Sequence, residues 1–176
     1  LFGLSTDTGF FRHLSAHSGE TFEAAARLAD AGANPNQIHR KMYGGRPLES
    51  KQLLGVLLHR TRSFADGKIL ITYETIEEQN KFGIKNRDSD TLYQQLQSIE
   101  GCEVVALIRE EKPGECSVGL RSNFYADVGK IALELGGGGH ARAAGLTWNG
   151  SRETAEEHIL PALTAAVQDT EAPSPL

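Results

Sequence analysis

The segment from Gly136 to Gly145, reading GGGGHARAAG, has the composition of an anion-binding loop. Residues without a Cβ let backbone N–H groups converge on a phosphate and let it approach closely. Gly137, Gly138, Gly139 and His140 are therefore candidate substrate-binding residues, with His140 adding a directed donor. A helix ending at Leu135 would use one glycine as its left-handed stop, which accounts for Gly136 and not for the other three. A mobile surface loop is the alternative explanation. Arg121-Ser122 is a second feature: an arginine at the end of a strand, among small neighbours, can grip phosphate through two N–H groups, and Ser122 offers another donor. The third is Ser5-Thr6-Asp7-Thr8-Gly9, where Asp7 could offer a hard carboxylate oxygen to Mg²⁺ or Mn²⁺, although Asp-Thr-Gly is also a plain turn.

Other chemical readings are weaker. Neither GxxxxGK(S/T) nor GxGxxG occurs, so the two commonest nucleotide-binding loops have no support. Asp88-Ser89-Asp90 is another close acidic pair, and helix capping explains it. His13 and His17 stand four apart, but Ser15, Ser18 and Gly19 make that stretch poorly helical. Cys102 and Cys116 form no CxxC pair and read as buried thiols.

Around these residues, hydrophobic spacing places the elements. Thr21 opens a helix carrying Phe22, Ala26 and Ala29 and stopped by Gly32; Asn34-Pro35 opens another that ends at Gly44-Gly45. A longer helix from Pro47, with Leu53, Leu54, Leu57 and Leu58 on one face, runs to an Asp66-Gly67 turn. A strand then spans residues 69–73. Asp88 caps a helix with Leu92, Leu96 and Ile99 on one stripe. Residues 104–108 form a continuous apolar run, the pattern of a strand covered on both faces. Cys116, Val118 and Leu120 alternate with Ser117, Gly119 and Arg121, giving one apolar and one polar face, with Lys112-Pro113-Gly114 as the hairpin connection. Val128, Ile131, Ala132 and Leu135 mark another amphipathic helix. Residues 143–148 are expected as the last strand, and a closing helix from Ser151 is expected to break or kink at Pro161. The alternation predicts an α/β fold, a mixed β-sheet covered by helices.

Thr6-Asp7-Thr8-Gly9 with Phe11-Arg12, Leu120-Arg121-Ser122, Asp127-Val128 and the run from Gly136 to Gly145 together resemble the DHH phosphoesterases, most of all the nano-RNases that also dephosphorylate 3′-phosphoadenosine 5′-phosphate (pAp). The resemblance spans nearly the whole chain. It implies that residues 1–46 are the C-terminal tail of a DHH catalytic domain with its linker, that 47–169 are a DHH-associated substrate-binding domain, and that 170–176 are a disordered tail. It implies that Asp7 matches the last metal-ligand aspartate of a two-metal site for Mn²⁺ or Mg²⁺, and that Arg121, Ser122, the glycines and His140 hold the substrate. No Asp-His-His triplet occurs, and one carboxylate cannot hold two divalent ions. This chain alone is expected to be inactive, with no catalytic residue assigned within it. The apolar start, Leu1 to Leu4 without an initiator Met, reads as the middle of a domain.

Composition limits the partners. Hydrophobic residues at 39% and charged residues at 23% of 176 suit a folded globular chain. A net charge of −5 disfavours long DNA held along a basic stripe and leaves short RNA or a single nucleotide. No apolar run approaches membrane-spanning length and no secretion signal is present, so no membrane and a cytoplasmic location are expected. Homodimerisation stays open. Other readings are a non-catalytic nucleic-acid-binding module like the C-terminal domain of alanyl-tRNA synthetases, a cyclic-dinucleotide phosphodiesterase, a RecJ-like exonuclease, or a purely structural domain. The Asp-Thr-Gly segment favours the enzyme.

Overall fold

The computed structural model describes residues 1–12, 14–83, 85 and 87–168. His13 and the expected tail 170–176 lie outside the described residues. The chain separates into two compact units, Leu1–Arg46 and Pro47–Leu176.

The first unit is three helices, α1 (Phe2–Asp7), α2 (Gly19–Asp30) and α3 (Pro35–Tyr43). Asn34 caps α3, its Oδ1 accepting from Gln37 N at 3.2 Å, and Pro35 occupies the first turn, where its missing N–H costs nothing. Phe10 packs edge-on to His39, and Phe11 stacks on Phe22 at 5.2 Å. Among the described residues of this unit, Ser5 is the buried one.

The second unit contains α4 (Leu48–His59), β1 (Arg62–Phe64), β2 (Ile69–Glu74), α5 (Ile76–Phe82), α6 (Ser89–Gln97), β3 (Val104–Lys112), β4 (Glu115–Ser122), α7 (Val128–Glu134), β5 (Gly138–His140), β6 (Ala143–Asn149) and α8 (Arg152–Gln168). The strands form one mixed sheet in the order β1-β2-β3-β4-β6-β5, with β2 and β3 parallel and the other pairs antiparallel. The expected mixed sheet covered by helices is the fold.

Alternation along the strands divides the side chains between two faces. On one, Ile69, Ile71, Val104, Ala106, Ile108, Val118, Leu120 and Leu146 pack against α7 and against Ala155, Ile159, Leu163 and Val167 of α8. On the other, Leu70, Val105 and Leu107 meet Leu53 and Leu57 of α4, Phe82 of α5, and Leu92, Tyr93 and Leu96 of α6. That second core involves β2 and β3. Across β4, β6 and β5 the same face carries Ser117, Gly119, Arg121, Ala143, Gly145, Thr147, Gly138 and His140, with Glu115 and Asn149 at its far end, all half-buried or exposed. Half of one sheet face is thus a shallow floor of small residues.

Several expectations need correction. α4 ends at His59, short of the Asp66-Gly67 turn, because β1 intervenes and pairs with β2. Asp88 stands at the start of α6 but makes no side-chain cap, and its carboxylate takes Lys51 Nζ at 3.2 Å. α8 runs through Pro161 as one helix. Pro161 and the Glu157 carbonyl it cannot satisfy lie on the solvent side, while Ile159 and Leu163 on either side are fully buried. Most important, the glycine segment is strand β5 and not a loop.

Candidate functional site

Arg121 is the penultimate residue of β4, with Val105 opposite it on β3 and Ala143 opposite it on β6. His140 on β5 pairs with the same Ala143. Directly opposed residues point to the same face, so Arg121 and His140 stand in one transverse row on the small-residue floor. They are two strands, about 10 Å, apart at the backbone. Had they lain on opposite faces, a shared phosphate site would have been excluded.

The glycines are placed by packing. Gly136, with φ of +81°, ends α7, and Gly137 N returns to Ala132 O at 2.7 Å. A Cβ on Gly137 would strike Gly145 O and come within 2.5 Å of Leu146 Cβ; one on Gly139 would lie 2.5 Å from Ala144 Cα. These two glycines let β5 lie against β6. Gly138 has nothing within 4 Å of a Cβ position and pairs with Gly145 on the floor side. β5 is the edge strand of the sheet, so on its free side backbone groups have no strand partner. An open groove of about 400 Å³ runs there between β5 and α7, bordered by Lys130, Gly138, Gly139 and His140.

Ser122, expected as a substrate donor, is 4% exposed. Its hydroxyl donates to Ala141 O at 3.2 Å and accepts from Arg142 Nη1 at 3.4 Å. In this structure it fastens β4 to the β5–β6 turn. Arg142 also donates to Ala126 O at 3.0 Å and to Phe124 O. The loop after β4 is braced from below by Glu103, 1% exposed, whose carboxylate accepts from Phe124 N, Tyr125 N and Ala126 N.

Charge pairing singles out two arginines of the second unit. In the second unit Arg60 pairs with Glu78, Arg62 with Glu156, Arg87 and Arg109 with the buried Glu74, and Arg152 with Glu153. Arg121 and Arg142 have no carboxylate partner among the described residues. Arg121 Nη1 donates to Leu120 O at 2.9 Å, and its guanidinium lies 4.5 Å from the centre of the Tyr93 ring. No further hydrogen bond of the guanidinium is found among the described residues.

Asp7 is the last residue of α1 and is exposed. Among the described residues no group of three or more His, Cys, Asp or Glu could hold a metal ion. The described residues therefore do not by themselves fit a two-metal centre. His39 is occupied by the rings of Phe10 and Tyr43, and His158 stacks on Trp148 at 4.3 Å. Cys102 and Cys116 are free and buried; burial, helped by Glu103, pushes the Cys102 thiol up to about 11.

Sequence reasoning missed Tyr93, Arg142 and Glu103. Tyr93 sits within an ordinary amphipathic stripe, and nothing in the spacing shows that it reaches β4. Gly119 did carry a signal, as the small residue on the polar side of β4.

The mixed sheet thus ends in a glycine-rich edge strand, with Arg121 and His140 aligned across it. The chain belongs to the DHHA1 domain family, whose model matches residues 66–169. It is 32% identical over 164 residues to the bifunctional oligoribonuclease and PAP phosphatase NrnA of Thermus thermophilus, covering 93% of this chain and 48% of that protein. An exopolyphosphatase-related protein from Bacteroides fragilis superposes with a TM-score of 0.83 at 26% identity, over 94% of this chain and 48% of that one. The pGpG-specific phosphodiesterase PggH from Vibrio cholerae shares the fold, with a TM-score of 0.56 at 16% identity over 96% of this chain and 56% of that one. The chain thus spans about half the length of its relatives. No helix among the described residues is long and apolar enough to cross a membrane.

Proposed function

We propose that this chain is the substrate-holding part of a metal-dependent cytoplasmic phosphoesterase that hydrolyses short oligoribonucleotides, pAp, or both. The observation that carries the reading is the row Arg121–Ala143–His140, an arginine without a carboxylate partner among the described residues aligned with a histidine across a single alanine. A guanidinium in that setting can take two oxygens of one phosphate through parallel N–H groups. His140 donates from the far side of the floor. Gly145 and Gly138 let sugar and phosphate lie close to the backbone between them, while the space over Gly119 is taken by the Tyr93 ring head. Ser122 acts by fixing the β5–β6 turn.

On this reading residues 1–46 are the tail of the catalytic domain and 47–169 the substrate-binding domain. Asp7 gives one carboxylate to a Mn²⁺ or Mg²⁺ site whose other ligands come from outside this chain. The relatives' additional length leaves room for them, and the similarity to NrnA supports the substrate class.

The test is calorimetric binding of pAp and of a 5′-labelled RNA dinucleotide, with turnover measured in parallel in Mn²⁺. The expected result is binding without turnover, abolished by Arg121→Ala. Turnover by this chain alone would overturn the division of labour, and equal binding by Arg121→Ala would remove the phosphate site.

A further inference from the structure

Arg121 does not stand alone on the floor. Tyr93, carried by α6, extends across β4 so that its ring lies 4.5 Å from the guanidinium carbon. Tyr93 is 5% exposed. Its hydroxyl makes no hydrogen bond within the described residues, yet it is not among the unpartnered polar atoms sealed from solvent. The phenol head has room only because position 119 is glycine, since a Cβ there would collide with the Tyr93 oxygen. Gly119 lies two residues before Arg121 on β4, so both belong to the same face. The hydroxyl therefore ends on the floor beside the guanidinium. Buried phenols ordinarily find a protein partner, and one that reaches an open face without a partner is a donor available to a ligand. Burial raises its pKa, so the proton it would donate is retained at neutral pH.

The geometry points to Tyr93 as a second ligand-contacting residue, its hydroxyl donating to a phosphate oxygen beside those held by Arg121 while its ring keeps the guanidinium flat against the floor. The inference rests on the phosphate-binding reading of Arg121 given above. One cation beside one neutral donor carries a single positive charge, which matches the single negative charge of an internucleotide diester. A terminal monoester carries more negative charge at neutral pH, its second pKa being about 6. The ligand group assigned to this pair is therefore the diester link of a short oligonucleotide.

Two small probes separate the possibilities: ApA, whose one phosphate is a diester, and AMP, whose one phosphate is a monoester. Each is titrated by NMR into the 176-residue chain and into Tyr93→Phe, Tyr93→Leu and Arg121→Ala, with thermal unfolding recorded for every variant. Tyr93→Phe keeps the ring and the unfolding midpoint and should bind ApA roughly 5- to 10-fold more weakly, the effect of one lost hydrogen bond. Its affinity for AMP should change less. Tyr93→Leu, which also loses the ring, should bind ApA more weakly still. If Tyr93→Phe binds ApA as well as the parent while Arg121→Ala does not bind, Tyr93 is only a core residue, and the inference falls while the Arg121 reading stands. An equal loss for AMP would overturn the diester assignment. If Arg121→Ala binds like the parent, or the parent does not bind, both readings fail together.

Discussion

Replacing Gly137 with alanine should destabilise the second unit, whereas the same change at Gly138 should not. At position 137 the new methyl would meet Gly145 O and two atoms of Leu146, at 2.5 and 2.8 Å. Both residues are held in register by β4, through Gly119↔Gly145 and Val118↔Leu146, so the backbone has little freedom to retreat. Forced overpacking of this kind costs about 1–3 kcal/mol, and immovable backbone puts Gly137→Ala at the upper end. At position 138 no atom lies within 4 Å and φ is not left-handed. There the loss of unfolded-chain freedom contributes about 0.4–1 kcal/mol in favour of the folded state. The two variants should therefore differ by ~3 kcal/mol, or roughly 10 °C in unfolding midpoint for a unit of this size. Urea denaturation monitored at Trp148 measures the difference. Gly138→Ala instead places a methyl on the floor opposite Gly145 and should weaken nucleotide binding at unchanged stability. Equal stability of the two variants would refute the packing account and restore the glycine run as a phosphate-cradling loop.

Three further outcomes follow from buried charge and burial. The Cys102 thiol, raised from 9.0 to about 11, keeps its proton in the folded state after the unfolded chain has lost it. Its contribution is complete below pH 9 and fades as pH rises toward 11, a loss of ~2–3 kcal/mol that should be reduced in Cys102→Ala when urea midpoints at pH 8 and 10.5 are compared. Glu74→Ala would leave Arg87 and Arg109, whose Nε atoms sit at 2.8 and 2.9 Å from its carboxylate, without a shared counter-ion. The expected loss, ~3–5 kcal/mol by denaturant titration, is that of breaking a buried pair. Glu103→Gln should cost about 2–4 kcal/mol, because a charged acceptor of three backbone N–H groups becomes a neutral one. Faster amide exchange at Tyr125 and Ala126 would be its local signature.

What could be read in the sequence was whatever has a period. Residues 69–73, 104–108, 116–120 and 143–148 all lie within observed strands because their apolar spacing records burial directly. Helix α5 was overlooked although Thr75 and Glu78 form a capping box. β1 and β5 are three residues each, too short for alternation to register, and β5 has almost no side chains to alternate. The candidate residues Arg121 and His140 were legible by type. Their alignment was not, because it depends on β6 pairing with β4 on one side and β5 on the other. Ser122 misled for a related reason: one residue along a strand reverses the face, and the hydroxyl beside Arg121 serves the opposite side of the sheet.

The uneven covering of the sheet is what ties stability to function here. On the α7–α8 side the inward positions from β2 to β6 carry buried residues, giving way to the half-buried Tyr73 and Trp148 toward one end. On the opposite side the leucines of α4 and α6 cover β2 and β3, and then the pattern changes to Ser117, Gly119, Ala143, Gly145 and Gly138. Each such position forgoes the ~1.5–3 kcal/mol that a buried Leu or Val would contribute. A sheet selected for stability alone would extend its second core across β4 and β6. This one stops where Tyr93 closes the core, and the next side chain on that face of β4 is an arginine with no carboxylate partner among the described residues. Local departures from good packing and charge pairing are expected at functional sites and not elsewhere. Both departures coincide at one edge of one face, while five of the other six arginines of the unit are paired with carboxylates and the sixth, Arg142, is taken up by the carbonyls of Phe124 and Ala126. The Arg121 region is thus incomplete as a piece of protein, and an anionic ligand is the group whose charge and shape would complete it.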